Sequence, residues 1–175
     1  MEANNWYVIT GGPSSGKTTL LDTLSNAGHT TVPEAARVLI DKEIQNGLTI
    51  EEIRKDEDTF QQKVLELKLE SERNLDAQSL IFFDRGIPDT EAYLLLHNFE
   101  IRPTLTEAMK GCHYKKVFLL DPVIFETDYA RIETEEQRIK LQKLLEESYT
   151  KLGFEVVKVP VLPVAERAKF ILENL

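Results

Sequence analysis

Short apolar or β-branched stretches at 6–10, 30–33, 79–84, 115–121 and 155–159 alternate along this chain with longer segments whose apolar residues recur every three to four positions. The short runs lack a regular polar partner at every second residue, which predicts strands buried on both faces. The segments between them have helical spacing. Alternation of this kind predicts an α/β fold in three layers, with a five-stranded parallel sheet between helices. The first helix is expected to end at Gly28, and a second runs over 34–46 and closes at Gly47. A long helical signal over 49–78 opens with Thr49 and Glu52 spaced as a capping box and carries Phe60, Val64, Leu65 and Leu67, with a bend at "RKDED". Its charges predict a solvated face. Asp89 is placed to cap the helix in "GIPDTEAYLLL", Thr134 and Gln137 to cap a later one, and "LPVAERAKFILENL" forms the last. No repeat or low-complexity linker interrupts the order, so the expectation is one domain over 1–175.

The turn between the first strand and first helix reads "ITGGPSSGKTTLLDTL". Gly11, four residues, Gly16, Lys17 and Thr18 match the phosphate-loop pattern at every fixed position. A helix opening out of a glycine-rich turn presents unpaired N–H groups to an anion. The glycines allow the backbone to curl around phosphates, Lys17 supplies a mobile charge, and Thr18 offers a hydroxyl to magnesium. Gly11, Gly12, Pro13, Ser14, Ser15, Gly16, Lys17, Thr18 and Thr19 are therefore the expected nucleotide-binding residues.

Ligands of open parallel sheets bind beyond the carboxyl ends of the strands, which sorts the remaining polar residues. Asp84 ends an apolar strand, where a carboxylate can hold magnesium together with Thr18. Arg85 follows it and can grip a phosphate or an acceptor, or pair with a carboxylate. Glu34 and Arg37 lie three apart on one helix face; Glu34 is placed to bind or deprotonate an attacking hydroxyl and Arg37 to anchor the acceptor. Arg131 and Arg138, in a polar segment after the fourth strand, are candidates for neutralising charge on a transferred group from a closing lid. The catalytic set is thus Lys17, Glu34, Asp84, Arg131 and Arg138, with Glu34, Arg37 and Arg85 facing the acceptor.

Charge narrows the partners. A formal net charge of −9 disfavours an extended nucleic-acid surface, while a few arginines around one phosphate chain can still act at short range. Cys112 is the only cysteine, so no internal disulfide forms, and it reads as a small buried residue. His29, His97 and His113 are too dispersed for a metal cluster. No apolar run approaches the roughly 20 residues of a membrane span, and no secretory signal is visible, so a cytoplasmic protein without a membrane partner is expected.

The chain resembles the AAA-type ATPase-like phosphate-loop family whose characterised relatives include the ribosylnicotinamide kinase domains of bacterial NAD-biosynthesis regulators. The resemblance spans nearly the whole chain and rests on "GGPSSGKTTL", "VPEAARVLI", "IFFDRGIPDTEAY", "VFLLDP" and "ETDYARIETEEQRIKLQKLLEESYTKLGFEVVKVP". It implies the kinase-like branch, sheet order 2-3-1-4-5, a lid after strand four, and ATP with Mg²⁺. The chain lacks the arginine finger and the oligomer-forming extension of an AAA motor, which fits a monomer or small homo-oligomer. The segment near 160–164, where a base-contacting loop is implied, has no GTP-selective "NKxD". A kinase acting on an unidentified small-molecule acceptor is the first reading. An ATPase or nucleotide-switched binding protein is the second, and a polynucleotide 5′-end kinase the third.

Overall fold

The computed structural model describes residues 3–122 and 134–175. Its elements follow the order β1 (Trp6–Thr10), α1 (Lys17–Asn26), β2 (Thr30–Val32), α2 (Ala35–Gln45), α3 (Ile50–Ile53), α4 (Glu57–Arg73), β3 (Ile81–Asp84), α5 (Ile87–Leu96), α6 (Pro103–Lys110), β4 (Lys116–Leu120), α7 (Glu135–Thr150), β5 (Val156–Val159) and α8 (Val164–Glu173). The strands form the one parallel sheet that the pattern predicts, in the order β2-β3-β1-β4-β5 that the family resemblance implies.

Side chains of a strand alternate between faces, and both faces here are covered. Trp6 and Val8 of β1 join Ile81, Phe83 and Val117 in a core closed by Leu65, Leu105, Met109 and Tyr149. Tyr7 and Ile9 point the other way, with Phe82, Phe118 and Leu120, onto Leu20 and Leu24 of α1 and Ala168 and Ile171 of α8. A strand with an apolar layer on either side has no room for a solvent-facing residue, which explains the unbroken run.

Two local features depart from the sequence reading, and a third bears it out. The signal over 49–78 divides into two helices at the expected bend, 54–56. The Thr49–Glu52 capping box forms, with the Glu52 amide donating to Thr49 Oγ1 at 3.2 Å, but Asp56 then restarts the chain as a new N-cap by accepting the Thr59 amide at 3.1 Å. Helix α6 was not anticipated; Pro103 at its first turn starts it, and only Leu105 and Met109 are buried from it, too few to show a period. The charged face of α4 is not wholly solvated, because Gln61 and Lys68 are buried.

The capping box of Thr134 and Gln137 opens α7, with the Gln137 amide donating to Thr134 Oγ1 at 3.3 Å. Arg131 and the greater part of the expected lid lie outside the described residues. Cys112 is buried, and burial pushes its thiol up to about 12, which leaves it unreactive. Among the described residues no helix is long and apolar enough to cross a membrane.

Candidate active site

The turn from β1 to α1 is shaped by its glycines. Gly16 precedes the helix at φ 79°, a left-handed conformation that a side chain disfavours. Gly11 passes so close to the end of β4 that a Cβ would stand 2.8 Å from the Leu120 carbonyl oxygen. Lys17 is buried and folds back over its own loop, donating through Nζ to the Gly11 and Gly12 carbonyls at 2.9 Å each and to Ser15 Oγ at 3.1 Å. Gly16, the N-cap of α1, has no side chain to satisfy the first N–H groups of the helix, as an anion site at this turn requires.

Two residues that the sequence reading missed brace this loop. The Gly12 amide donates to Gln142 Oε1 at 3.0 Å, and Arg167 of α8 donates through Nη1 to the Ser15 carbonyl at 2.6 Å. Arg138 lies on the first turn of α7, and its backbone carbonyl borders Gly12.

Asp84, at the carboxyl end of β3, pairs in register with Ile9 of β1 and so stands next to the loop. It is 7% exposed, and its Oδ1 meets no hydrogen-bond partner among the described residues. Burial and then the Glu34 charge push its carboxyl up to about 7, against the pull of Lys17 and Arg85. Asp84 and Thr18 line one cavity. An orphaned carboxylate oxygen and a hydroxyl bordering the same space fit a magnesium ion, which uses few protein ligands and fills its shell with water and phosphate oxygens.

Arg85 adopts φ 69°, a conformation costing about 1 kcal/mol or more for a residue with a Cβ. The turn throws its side chain back across the sheet ends. Its Nε donates to Glu34 Oε1 at 2.8 Å, and its Nη1 donates to the Gly11 carbonyl at 3.1 Å and Asp89 Oδ1 at 3.2 Å. Its guanidinium also lies 5.1 Å from the Tyr93 ring centroid. Glu34, whose side chain is 22% exposed, precedes α2. Burial alone would raise its pKa, but Arg85, Lys17 and Arg37 outweigh burial and hold it at about 2. Asp89 caps α5 from inside its first turn by accepting the Gly86 amide at 3.0 Å. It also accepts from Thr10 Oγ1 at 2.6 Å and from the Tyr149 hydroxyl.

A second cavity opens between α2, α4 and α5. Pro13 of the loop borders it, and Glu34, Arg37, Phe60, Gln61, Lys68, Arg85, Asp89 and Tyr93 are among its walls. Glu34 and Arg37 line this cavity and the Thr18–Asp84 cavity alike. Lys68 forms a polar floor, donating to the Gly86 carbonyl at 2.6 Å and to Thr90 Oγ1 at 3.2 Å. Arg54 stacks over Phe60 at 4.7 Å and grips Glu57 through two bonds of 2.8 and 2.9 Å. Glu57 in turn accepts from Gln61 Nε2 at 2.8 Å. An ionised carboxylate only accepts, so this contact fixes the amide orientation. Gln61 Oε1 is left at the cavity wall with no partner among the described residues.

The fold therefore gathers Thr18, Glu34, Arg37, Asp84 and Arg85 around two adjoining cavities, with Lys17 folded over the loop beside them, although they are spread over residues 17–85. Gln61, Lys68, Asp89, Gln142 and Tyr149 were not foreseen as parts of the site. Gln61 and Lys68 leave a trace in the sequence, since with Val64 they sit at helical spacing on one face of α4. Asp89 follows Arg85 by one helical turn. Gln142 and Tyr149 have no local signal, because their partners are far away in the chain.

A family model described as an AAA domain matches residues 6–167. No curated protein sequence matches the chain. Among solved structures, thymidylate kinase from Candida albicans is similar with a TM-score of 0.72 and 18% identity, over 98% of this chain and 91% of that one. NadR protein in complex with NR is similar with a TM-score of 0.72 and 19% identity, over 96% of this chain and 49% of NadR, so this chain spans about half that protein's length. Deoxyadenosine kinase from M. mycoides with bound dATP has a TM-score of 0.64 and 15% identity, over 97% of each chain. At these identities the likeness is one of fold.

Proposed function

The chain belongs to the AAA domain family, and from that premise we propose that it is a magnesium-dependent kinase passing the γ-phosphate of ATP to a hydroxyl of a small molecule such as a nucleoside. The observation that carries this reading is the second cavity, which meets the phosphate loop at Pro13 and shares Glu34 and Arg37 with the Thr18–Asp84 cavity. Hydrolysis needs only water at that place; an acceptor needs walls.

In this reading the loop amides and Lys17 hold the phosphates, and Thr18 and Asp84 would hold magnesium. The ion, when bound, would offset charge on the phosphate oxygens. Glu34, kept ionised by Arg85, accepts a hydrogen bond from the acceptor hydroxyl and aims its oxygen at the phosphate. The transition state of phosphoryl transfer is loose and asks more of orientation than of proton removal, so a carboxylate held near 2 can serve. Arg37 and Arg85 face the transferred charge from the acceptor side, and Arg131 and Arg138 are proposed to do so from the nucleotide side. Phe60 and Tyr93 bring aromatic surface to the acceptor, and Gln61 Oε1 asks it for an N–H or O–H donor.

The test is incubation with labelled ATP and Mg²⁺ against nucleosides, ribosylnicotinamide, vitamins and RNA 5′ ends. Label on a ring-bearing nucleoside-like acceptor is the expected result. Release of labelled phosphate with every acceptor unlabelled would make the protein an ATPase, and label on RNA ends a polynucleotide kinase.

A further inference from the structure

We propose that α7 is a strut that locks the phosphate loop and the Arg85 side of the acceptor cavity into one alignment, with Gln142 and Tyr149 as its positioning residues. The inference takes from the reading above only which two sites are joined. Gln142 and Tyr149 are seven residues apart, about two helical turns, and so lie on one face of α7.

Both ends of the Gln142 amide are used. Its Oε1 accepts from the Gly12 amide and its Nε2 donates to the Leu120 carbonyl, each at 3.0 Å, tying the loop to the last residue of β4. Two turns on, the Tyr149 hydroxyl donates to Asp89 Oδ2 and accepts from the Gly86 amide at 3.0 Å. Burial keeps that hydroxyl protonated, so it remains a donor. The other oxygen of Asp89 holds Arg85 and Thr10, and Thr10 directly precedes Gly11. Hydrogen bonds therefore run in a closed circuit from Thr10 through Asp89, Tyr149 and α7 to Gln142 and back to Gly12.

Packing makes the circuit stiff. Beside Gln142 and midway to Tyr149, α7 buries Leu141 and Leu145 completely against Ala92, Leu96 and Leu119. A Cβ on Gly86 would stand 2.7 Å from the Tyr149 hydroxyl, so the helix end and the Arg85 turn touch with no slack. Close-packed interiors transmit strain rather than absorb it. Loosening either end should then loosen the other.

Hydrogen exchange on the ligand-free protein tests this without reference to any substrate. Tyr149→Phe should speed exchange of the amides over 11–16 about three- to tenfold, and Gln142→Leu should do the same over 86–90, on the scale of losing one net hydrogen bond. The double variant should exchange no faster than the quicker single at either place, and amides over 40–45, at the far end of α2, should stay as in the wild type once each variant's unfolding free energy is taken into account. Effects confined to each mutated end, or additive in the double variant, would overturn the strut. Calorimetry with MgATP is a separate arm: a wild-type protein that binds none would sink the kinase reading while leaving the exchange result to decide the strut.

Discussion

Glu34 and Asp84 feel the same two cations, Lys17 and Arg85, and yet stand at opposite ends of the carboxylate range, about 2 and about 7. The difference lies in hydrogen bonding and position. Glu34 accepts Arg85 Nε directly at 2.8 Å, whereas Asp84 Oδ1 is buried without a partner and carries the repulsion of Glu34 as well. In the proposed kinase reading that contrast suits them to different work, an orienting carboxylate and a metal-side carboxylate. Asp84→Asn should therefore cut magnesium-dependent turnover by roughly a hundred- to a thousandfold, in the range seen when a transition-state charge stabiliser is removed. ATP binding in EDTA should change little, and equal losses in both assays would make Asp84 structural. Lys17→Ala removes both a phosphate-facing charge and the brace across Gly11 and Gly12. MgATP affinity should fall about 10- to 150-fold, the equivalent of losing hydrogen bonds to a charged group. Unchanged calorimetric affinity in a folded Lys17→Ala variant would remove the loop from nucleotide binding.

Helix α4 is placed by its break from α3. Because Asp56 starts it afresh, Gln61, Val64 and Lys68 fall on the face turned to the acceptor cavity, and Arg54, left in the connection, reaches back to fix Glu57 and through it Gln61. The helix thus presents a row of one amide, one apolar surface and one lysine to the cavity, while Lys63, Glu66, Glu70 and Arg73 keep the solvated face that its charges suggest. If Gln61 Oε1 reads a donor on the acceptor, Gln61→Leu should lower kcat/KM for that acceptor about 10- to 100-fold, in line with leaving a buried polar group unpaired. The KM for ATP should stay where it was. A loss shared equally between both substrates would mean that Gln61 only supports the fold. Acceptors lacking an N–H should lose their disadvantage in the variant, which gives the same test in the opposite direction.

What was legible across the whole molecule was whatever local sequence controls. Apolar runs ending at Thr10, Asp84 and Leu120 marked the strands, and the loop glycines marked the phosphate side, because each needs only its neighbours. Arg85 could be read as a site residue from its place after β3, but not its φ of 69° or its hold on Glu34, which is 51 residues away. Tyr149 and Gln142 could not be read at all, since tertiary packing alone brings them to Asp89 and Gly12. The same packing creates a half-buried acid that composition does not reveal. Glu72 of α4 accepts a hydrogen bond from Tyr114, whose hydroxyl also accepts the Ile87 amide, behind the start of α5. Burial pushes Glu72 up to about 7 against the opposing pull of Tyr114 and Lys68. A folded pKa raised above the unfolded value near 4.5 means that the protonated form is favoured by folding. Its contribution to stability is full below about 4.5 and drains away as pH rises to about 7. The whole shift corresponds to about 3 kcal/mol as an upper value. Glu72→Gln keeps an oxygen for the Tyr114 hydroxyl and has no proton to lose. In urea titrations the variant should match the wild type near pH 4.5 and exceed it by roughly 1–3 kcal/mol at pH 8. A difference between the two proteins that stays constant over that range, or that shrinks as pH rises, would show that Glu72 is not held protonated by the fold.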